Sequence, residues 1–270
     1  MNKNIGFIGW GNIAQAMISD ICKSKLVPSN NMMVSNVSTE ILELIKNKYG
    51  VLTTDDNKEV AEFADILFLS IKTDKHEEIT DEIKDCIKED VTVVTISPAI
   101  NLKTIEVAFG RKVKAVRAMP NTPTLVGEGM SVICHNEMVD KDDLKDIIKI
   151  FQCFGKAEII DESLMDIIPA ISGSSPAYAY MFIEAIAEGG VLRGLPWKKA
   201  YKLAAQSVLG AAKMVLETDQ HPIELRDKVC SPGGATIAAL YSLEKNNFKG
   251  TIIEAMERCT EKVIEMSSSK

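Results

Sequence analysis

Paired cysteines, long apolar runs and a basic surface are all missing from this chain, and each absence removes a class of protein. The six cysteines (Cys22, Cys86, Cys134, Cys153, Cys230, Cys259) are scattered and form no CxxC pair, so neither a zinc site nor a disulfide framework is expected. They read as reduced, mostly buried thiols of a cytoplasmic protein. No run of 18 or more apolar residues occurs, so no span of a membrane is expected. The net charge of -7 disfavours a nucleic-acid partner, which needs a basic face. The start Met1-Asn2-Lys3-Asn4 leads straight into a strand pattern and does not read as a signal peptide. Only three histidines are present (His76, His135, His221); all fall outside the chemically informative motifs and read as surface or structural residues, His221 keeping some claim because it precedes Pro222.

What is present is material for a core: 46% of the residues are hydrophobic and 26% charged. The first half alternates short apolar runs with amphipathic stretches. Strands are expected at Ile5–Ile8, Met32–Ser35, Val51–Thr53, Ile66–Ile71, Val91–Ile96, Lys114–Ala118 and Met130–His135. Helices are expected at Ile13–Ser24, Thr39–Lys48, Lys75–Lys88 and Leu102–Phe109. Such alternation implies a mostly parallel sheet covered on both faces. Past Asp161 the strand-length Val and Ile clusters give way to Ala, Leu, Met and Glu, as in Ala177–Gly189, Lys198–Glu217 and Gly250–Met266. The expected class is an α/β Rossmann domain over residues 1–162 followed by an all-α domain over 163–270.

The first strand runs into Gly9-Trp10-Gly11-Asn12-Ile13-Ala14, a GxGxxA turn that opens a helix. Gly9 permits the tight turn, Gly11 lets the backbone approach a pyrophosphate, and Ala14 keeps the helix close to the strand. An NAD site usually carries an acid at the end of the second strand. Here the stretch is Val34-Ser35-Asn36-Val37-Ser38-Thr39 and the first acid is Glu40, which favours NADP with NAD still usable. In the second half, Cys230-Ser231-Pro232-Gly233-Gly234-Ala235-Thr236 precedes a helical run, so its amides are expected to bind a carboxylate or phosphate. Ser172-Gly173-Ser174-Ser175-Pro176-Ala177-Tyr178 is a second polar loop before a helix.

Together these segments resemble the Δ1-pyrroline-5-carboxylate reductase family over nearly the whole chain. The resemblance rests on Gly6-Phe7-Ile8-Gly9-Trp10-Gly11-Asn12, Leu69-Ser70-Ile71-Lys72, Arg117-Ala118-Met119-Pro120-Asn121-Thr122-Pro123 and Gly127-Glu128-Gly129-Met130. It continues through the Ser172–Tyr178 loop, Gly194-Leu195-Pro196, His221-Pro222 and, most specifically, Ser231–Thr236. It implies hydride transfer from NAD(P)H to a cyclic imine, giving L-proline. It also implies a homodimer through the helical domain, and beyond it a decamer built as a pentamer of dimers. Carried over by position, Gly9, Trp10, Gly11, Asn12 and Ile13 surround the pyrophosphate, while Ser35, Asn36 and Asn57 serve the adenosine half. Ile71, Lys72, Met119, Pro120 and Asn121 serve the nicotinamide half, with Lys72 also a catalytic candidate. Glu162, Ser231, Gly234, Ala235 and Thr236 serve the substrate, with Thr236 the main catalytic candidate. The chain departs from the family pattern at Thr73, at Ser97-Pro98-Ala99 and at Ser175.

Two other readings share parts of this pattern. A β-hydroxyacid dehydrogenase has the same two-domain plan but uses a lysine in the first long helix of its second domain, and Pro176–Gly190 contains none. A non-catalytic nucleotide sensor accounts for the GxGxxA turn and leaves the Ser231–Thr236 loop without a role.

Overall fold

The computed structural model describes residues 1–268 of the chain. Two compact units are present, one of Met1–Gly173 with the chain end from Thr260, the other of Ser174–Cys259.

The first unit is an eight-stranded sheet flanked by helices. Its strands are β1 (Ile5–Ile8), β2 (Met32–Ser35), β3 (Leu52–Thr54), β4 (Ile66–Leu69), β5 (Thr92–Thr95), β6 (Lys114–Met119), β7 (Gly129–His135) and β8 (Gly155–Ile159). They lie in the order β3-β2-β1-β4-β5-β6-β7-β8. Every pairing is parallel except β6 with β7. β1, β4 and β5 are buried along their whole length, which is why β1 and β4 read as unbroken apolar runs rather than alternating ones. Phe7 stacks on Phe68 at 4.8 Å, and Phe68 meets Phe151 edge-on at 6.0 Å, fastening the sheet to the helix of Phe151.

The helices of this unit are α1 (Asn12–Ser24), α2 (Thr39–Tyr49), α3 (Asn57–Phe63), α4 (His76–Ile83), α5 (Leu102–Phe109) and α6 (Lys141–Gln152). Local sequence sets their ends. Ser38, Asp56, Asn101 and Asp140 each cap a helix by accepting a bond from a first-turn amide. Asp143, in the first turn of α6, is buried between Lys3 and Lys114, each 2.7 Å away. Burial alone would raise the pKa of this carboxyl, but the hydrogen bonds and charge of Lys114 and Lys3 hold it below its ordinary value.

The helix expected over Lys75–Lys88 is shorter: Thr73–Lys75 forms a 3₁₀ turn and the α-helix ends at Ile83. The structure also contains α3, α6 and β8, which are absent from the expected elements. α3 is only seven residues, too short for a periodic signal, and β8 is largely exposed and lacks an apolar run. The cysteines differ from expectation: Cys134 is buried but the other five are half-buried, and all six are free. Burial and the nearby Glu162 carboxylate push the Cys134 thiol up to about 12, so it is inert at neutral pH.

The second unit is helical, with α7 (Ser175–Val191), α8 (Trp197–Thr218), α9 (Pro222–Lys228) and α10 (Ala235–Lys245); α11 (Phe248–Ser268) begins in it. Its buried apolar cluster consists of Ala187, Ala200 and Ala204, backed by the half-buried Ile183 and Val191. No described helix is long and apolar enough to cross a membrane.

Candidate active site

The strand order reverses at β1. The chain runs β1, β2, β3 outward to one side, then returns to β4 and runs β4, β5, β6 to the other. At such a reversal a dinucleotide lies across the carboxyl ends of the two central strands, here β1 and β4.

The turn leaving β1 separates two glycine roles. Gly9 has φ +95°, and a Cβ there would meet the Ser70 carbonyl oxygen at 2.6 Å. Its amide donates to the Ser35 carbonyl at 3.2 Å, so the fold itself requires this glycine. Gly11 has extended backbone at φ -82°, and a Cβ there would meet nothing within 4 Å. The fold does not require glycine at Gly11; the space it leaves lies at the N-terminus of α1. The first amides of that helix, from Asn12 onward, have no intrahelical acceptor, and no acid stands in its first turn. Trp10 is half-buried and packs edge-on to Tyr49 at 6.0 Å. Ile13 is half-buried against the core.

At the end of β2 the expected residues come together, but with their polar atoms largely engaged. Ser35 is 1% exposed and its hydroxyl donates to Asn57 Oδ1 at 2.7 Å. Asn57 Nδ2 donates in turn to Glu82 at 2.9 Å. Ser35 therefore holds Asn57 in place at the end of β2, where the adenosine ribose was expected to be read. Asn36 Oδ1 accepts from the Ser38 amide at 3.0 Å, leaving the amide nitrogen of its side chain as the donor at this turn.

Across the reversal, Ile71 and Lys72 follow β4, Met119 ends β6, and Pro120 and Asn121 follow it. Lys72 is exposed and caps the 3₁₀ turn of Thr73–Lys75. Asn121 is 8% exposed, with Nδ2 donating to the Ser172 carbonyl at 2.9 Å and Oδ1 accepting from the Met130 amide at 2.8 Å. Its side chain is a clamp within the fold. Glu162 Oε1 accepts from the Leu102 amide at 2.7 Å, capping α5, and borders a cavity of about 630 Å³ shared with Lys103, Arg117 and Asp166.

In the second unit, the segment Ser231–Gly234 turns tightly into α10. Gly233 has φ +69°, which favours glycine, and a Cβ on Gly234 would collide with the Ser231 hydroxyl. The Gly234 amide donates to the Ser231 carbonyl at 3.0 Å, so it closes the turn and is not free for a ligand. That corrects the expectation that Gly234 offers its amide. Ala235 and Thr236 are the first two residues of α10 and carry amides with no intrahelical acceptor. The other polar loop is less open than expected: Ser172 is buried, and Ser174 Oγ lies 3.4 Å from Cys259 Sγ. Among the described residues no cluster of His, Cys, Asp or Glu could hold a metal ion.

Residues 162–266 match the family described as pyrroline-5-carboxylate reductase dimerisation, and residues 4–99 match the family described as NADP oxidoreductase, coenzyme F420-dependent. The pyrroline-5-carboxylate reductase of Escherichia coli strain K12 is 42% identical over 269 residues, covering 100% of both chains. The chain belongs to the pyrroline-5-carboxylate reductase family. The human pyrroline-5-carboxylate reductase 2 is 35% identical over 98% of this chain and 84% of its own length. The solved pyrroline-5-carboxylate reductase of Coxiella burnetii superposes with a TM-score of 0.94 at 35% identity, covering 99% of each chain. The Plasmodium falciparum pyrroline carboxylate reductase, solved with NADP bound, gives 0.87 at 34% identity and covers 98% of each chain. The prephenate dehydrogenase of Aquifex aeolicus, with a TM-score of 0.54 and 14% identity, shares the fold alone. Glu82 carries no signal in the sequence, because it lies 25 residues from Asn57 and only the packing of the two helices joins them.

Proposed function

We propose that this chain reduces the C=N bond of 1-pyrroline-5-carboxylate with NADPH, giving L-proline as the final step of proline biosynthesis. The observation that carries the reading is the open space at Gly11, at the strand-order reversal of a chain matched end to end by pyrroline-5-carboxylate reductases. A diphosphate fits there, because the Gly11 Cβ position is empty and the α1 amides point to an anion.

When bound, NADPH supplies the hydride that reduces the imine carbon. The residues of the chain do the rest. Gly9, Trp10, Gly11, Asn12 and Ile13 hold the diphosphate, and Asn36 with the Asn57 side chain held by Ser35 reads the adenosine ribose. Lacking an acid at that turn, the site takes NADPH in preference and NADH as well. Ile71, Lys72, Met119, Pro120 and Asn121 flank the nicotinamide half, Asn121 by its backbone. The Ala235 and Thr236 amides grip the substrate carboxylate, Ser231 adds a hydroxyl, and Glu162 stands on the substrate side. The imine nitrogen arrives protonated, which makes its carbon an electrophile; hydride adds to that carbon and the nitrogen keeps its proton. The Thr236 hydroxyl is too weak an acid to be the main proton donor and instead orients the ring nitrogen. Positioning of this kind is worth up to ~7–11 kcal/mol.

Residues 1–162 serve as the NAD(P)-binding domain and 163–270 as the substrate-binding and dimerisation domain. The enzyme works in the cytoplasm as a homodimer, with a pentamer of dimers as the larger assembly. The exposed Tyr180, Met181, Leu203, Leu209 and Leu216 of α7 and α8 support a partner copy. The deciding assay follows NADPH oxidation with pyrroline-5-carboxylate and, in parallel, NADP reduction with 3-hydroxy acids. Turnover of the imine alone is expected. Oxidation of a hydroxy acid, or NADPH binding with no turnover of the imine, overturns the proposal in favour of a dehydrogenase or a sensor.

A further inference from the structure

The loops that leave β4 and β5 are tied to each other by side chains that no part of the mechanism above uses. Thr73 Oγ1 lies 2.7 Å from Ser97 Oγ, joining the residue after Lys72 to the loop after β5. Beneath it, the buried His76 places Nε2 3.1 Å from Thr95 Oγ1, and that same hydroxyl accepts from the Ser97 amide at 3.3 Å. Ser97 and His76 are each 4% exposed, so the His76–Thr95 and Ser97–Thr95 bonds form away from water, while the Thr73–Ser97 bond above them is half-buried. The next residue, Pro98, has its carbonyl held by the buried Arg117 of β6 at 2.6 Å. Three successive strand ends on one side of the reversal are thus laced together.

That side is the one a nicotinamide half must occupy, because the ribose of the adenosine half is read at the end of β2 on the other. Lys72 is exposed, and the chain leaving it is held by the Lys75 amide, which donates to the Lys72 carbonyl at 3.0 Å, and by Thr73 to Ser97. Removing the second takes away the side-chain tie between this turn and the loop after β5.

We infer that the Thr73–Ser97 hydroxyl pair is a positioning clasp that fixes the β4 and β5 loops, and with them Lys72, against the nicotinamide half of the cofactor. Thr73 and Ser97 are positioning residues, acting through the loops they join. The inference rests on the cofactor reading given under Proposed function. A displacement of reacting groups by about 1 Å costs on the order of 100-fold in rate, so one hydrogen bond at the rim of the site has leverage.

The test compares Thr73→Val, Ser97→Ala, the double variant and Thr73→Ser in the full-length enzyme. Each is measured for kcat and KM with NADPH and pyrroline-5-carboxylate, and for affinity toward adenosine 2′,5′-bisphosphate, which lacks the nicotinamide half. Loss of one half-buried hydrogen bond predicts about a fivefold drop in kcat/KM for NADPH in Thr73→Val. The double variant is expected to be no worse than the poorer single one, since both remove the same bond. Thr73→Ser, which keeps the hydroxyl, recovers most of the loss, and adenosine 2′,5′-bisphosphate binds equally well to all. Additive losses, failure of Thr73→Ser to rescue, or a parallel loss of bisphosphate binding overturns the clasp while leaving the cofactor reading intact. A wild-type enzyme that neither binds the bisphosphate nor oxidises NADPH overturns both.

Discussion

The two units of this molecule draw on different sources of stability. The first buries whole strands, and its aromatic side chains Phe7, Phe68, Phe151 and Phe154 meet one another inside it. The second has long helices but buries only Ala187, Ala200 and Ala204 in its apolar cluster, while Tyr180, Met181 and Leu216 stand 61%, 70% and 79% exposed. Three methyl groups cannot balance the conformational entropy of ordering so many residues. The sheet unit buries a core of its own. The helical unit is one part of a core whose other part is proposed to come from a second copy. The contrast extends to function, since the proposed cofactor grip stands on rigid strand ends and the substrate grip on a helix N-terminus within the less self-sufficient unit.

Substitutions can strain this contrast from either side. The largest effect is expected from Gly11→Val, which puts a branched side chain into the space proposed for the diphosphate, where a Cβ meets no protein atom within 4 Å. With two charged hydrogen bonds lost at about 1.5–3 kcal/mol each, NADPH affinity should fall at least about 100-fold. Fluorescence titration checks this, with the melting temperature of the variant as the control for folding. Next comes Asp143→Asn, which leaves Lys3 and Lys114 without their shared buried carboxylate and should cost about 3 kcal/mol in the sheet unit by denaturant unfolding. The pKa of Asp143 is lowered in the folded state, so its contribution is present above the unfolded value near pH 4 and is lost as pH falls through the folded value. The gap between wild type and Asp143→Asn should therefore close in acid, and a gap that widens there would contradict the assignment.

A smaller loss is expected from Thr236→Val in the helical unit. Removing one hydrogen bond to a charged centre predicts a ~10–100-fold drop in kcat with NADPH affinity unchanged. An unchanged kcat would take Thr236 out of the mechanism. Smallest is Asn36→Asp, which adds a carboxylate at the ribose turn and should shift the NADPH to NADH preference by about tenfold toward NADH. Steady-state kinetics with both cofactors decide it.

Much of the sheet unit was legible because its signals are local. The buried runs at Ile5–Ile8 and Ile66–Leu69 and the GxGxxA turn at Gly9–Ala14 each depend on neighbours within ten residues. Position in sequence did not show which polar atoms were already engaged. Ser35 gives its hydroxyl to Asn57, Asn121 spends its side chain on Ser172 and Met130, and Gly234 closes its own turn; the first two depend on partners brought near by packing, and the third on the exact conformation of a loop. The Thr73–Ser97 bond was out of reach for the same reason, because only the pairing of β4 with β5 brings the following loops together.

The contrast between the units is tested most directly by the mass of the enzyme in solution. Light scattering at micromolar concentration should show a species of at least twice the 29.6 kDa chain mass, with no monomer that retains NADPH oxidation on dilution. A stable, fully active 29.6 kDa monomer would mean that the helical unit holds itself together without a second copy.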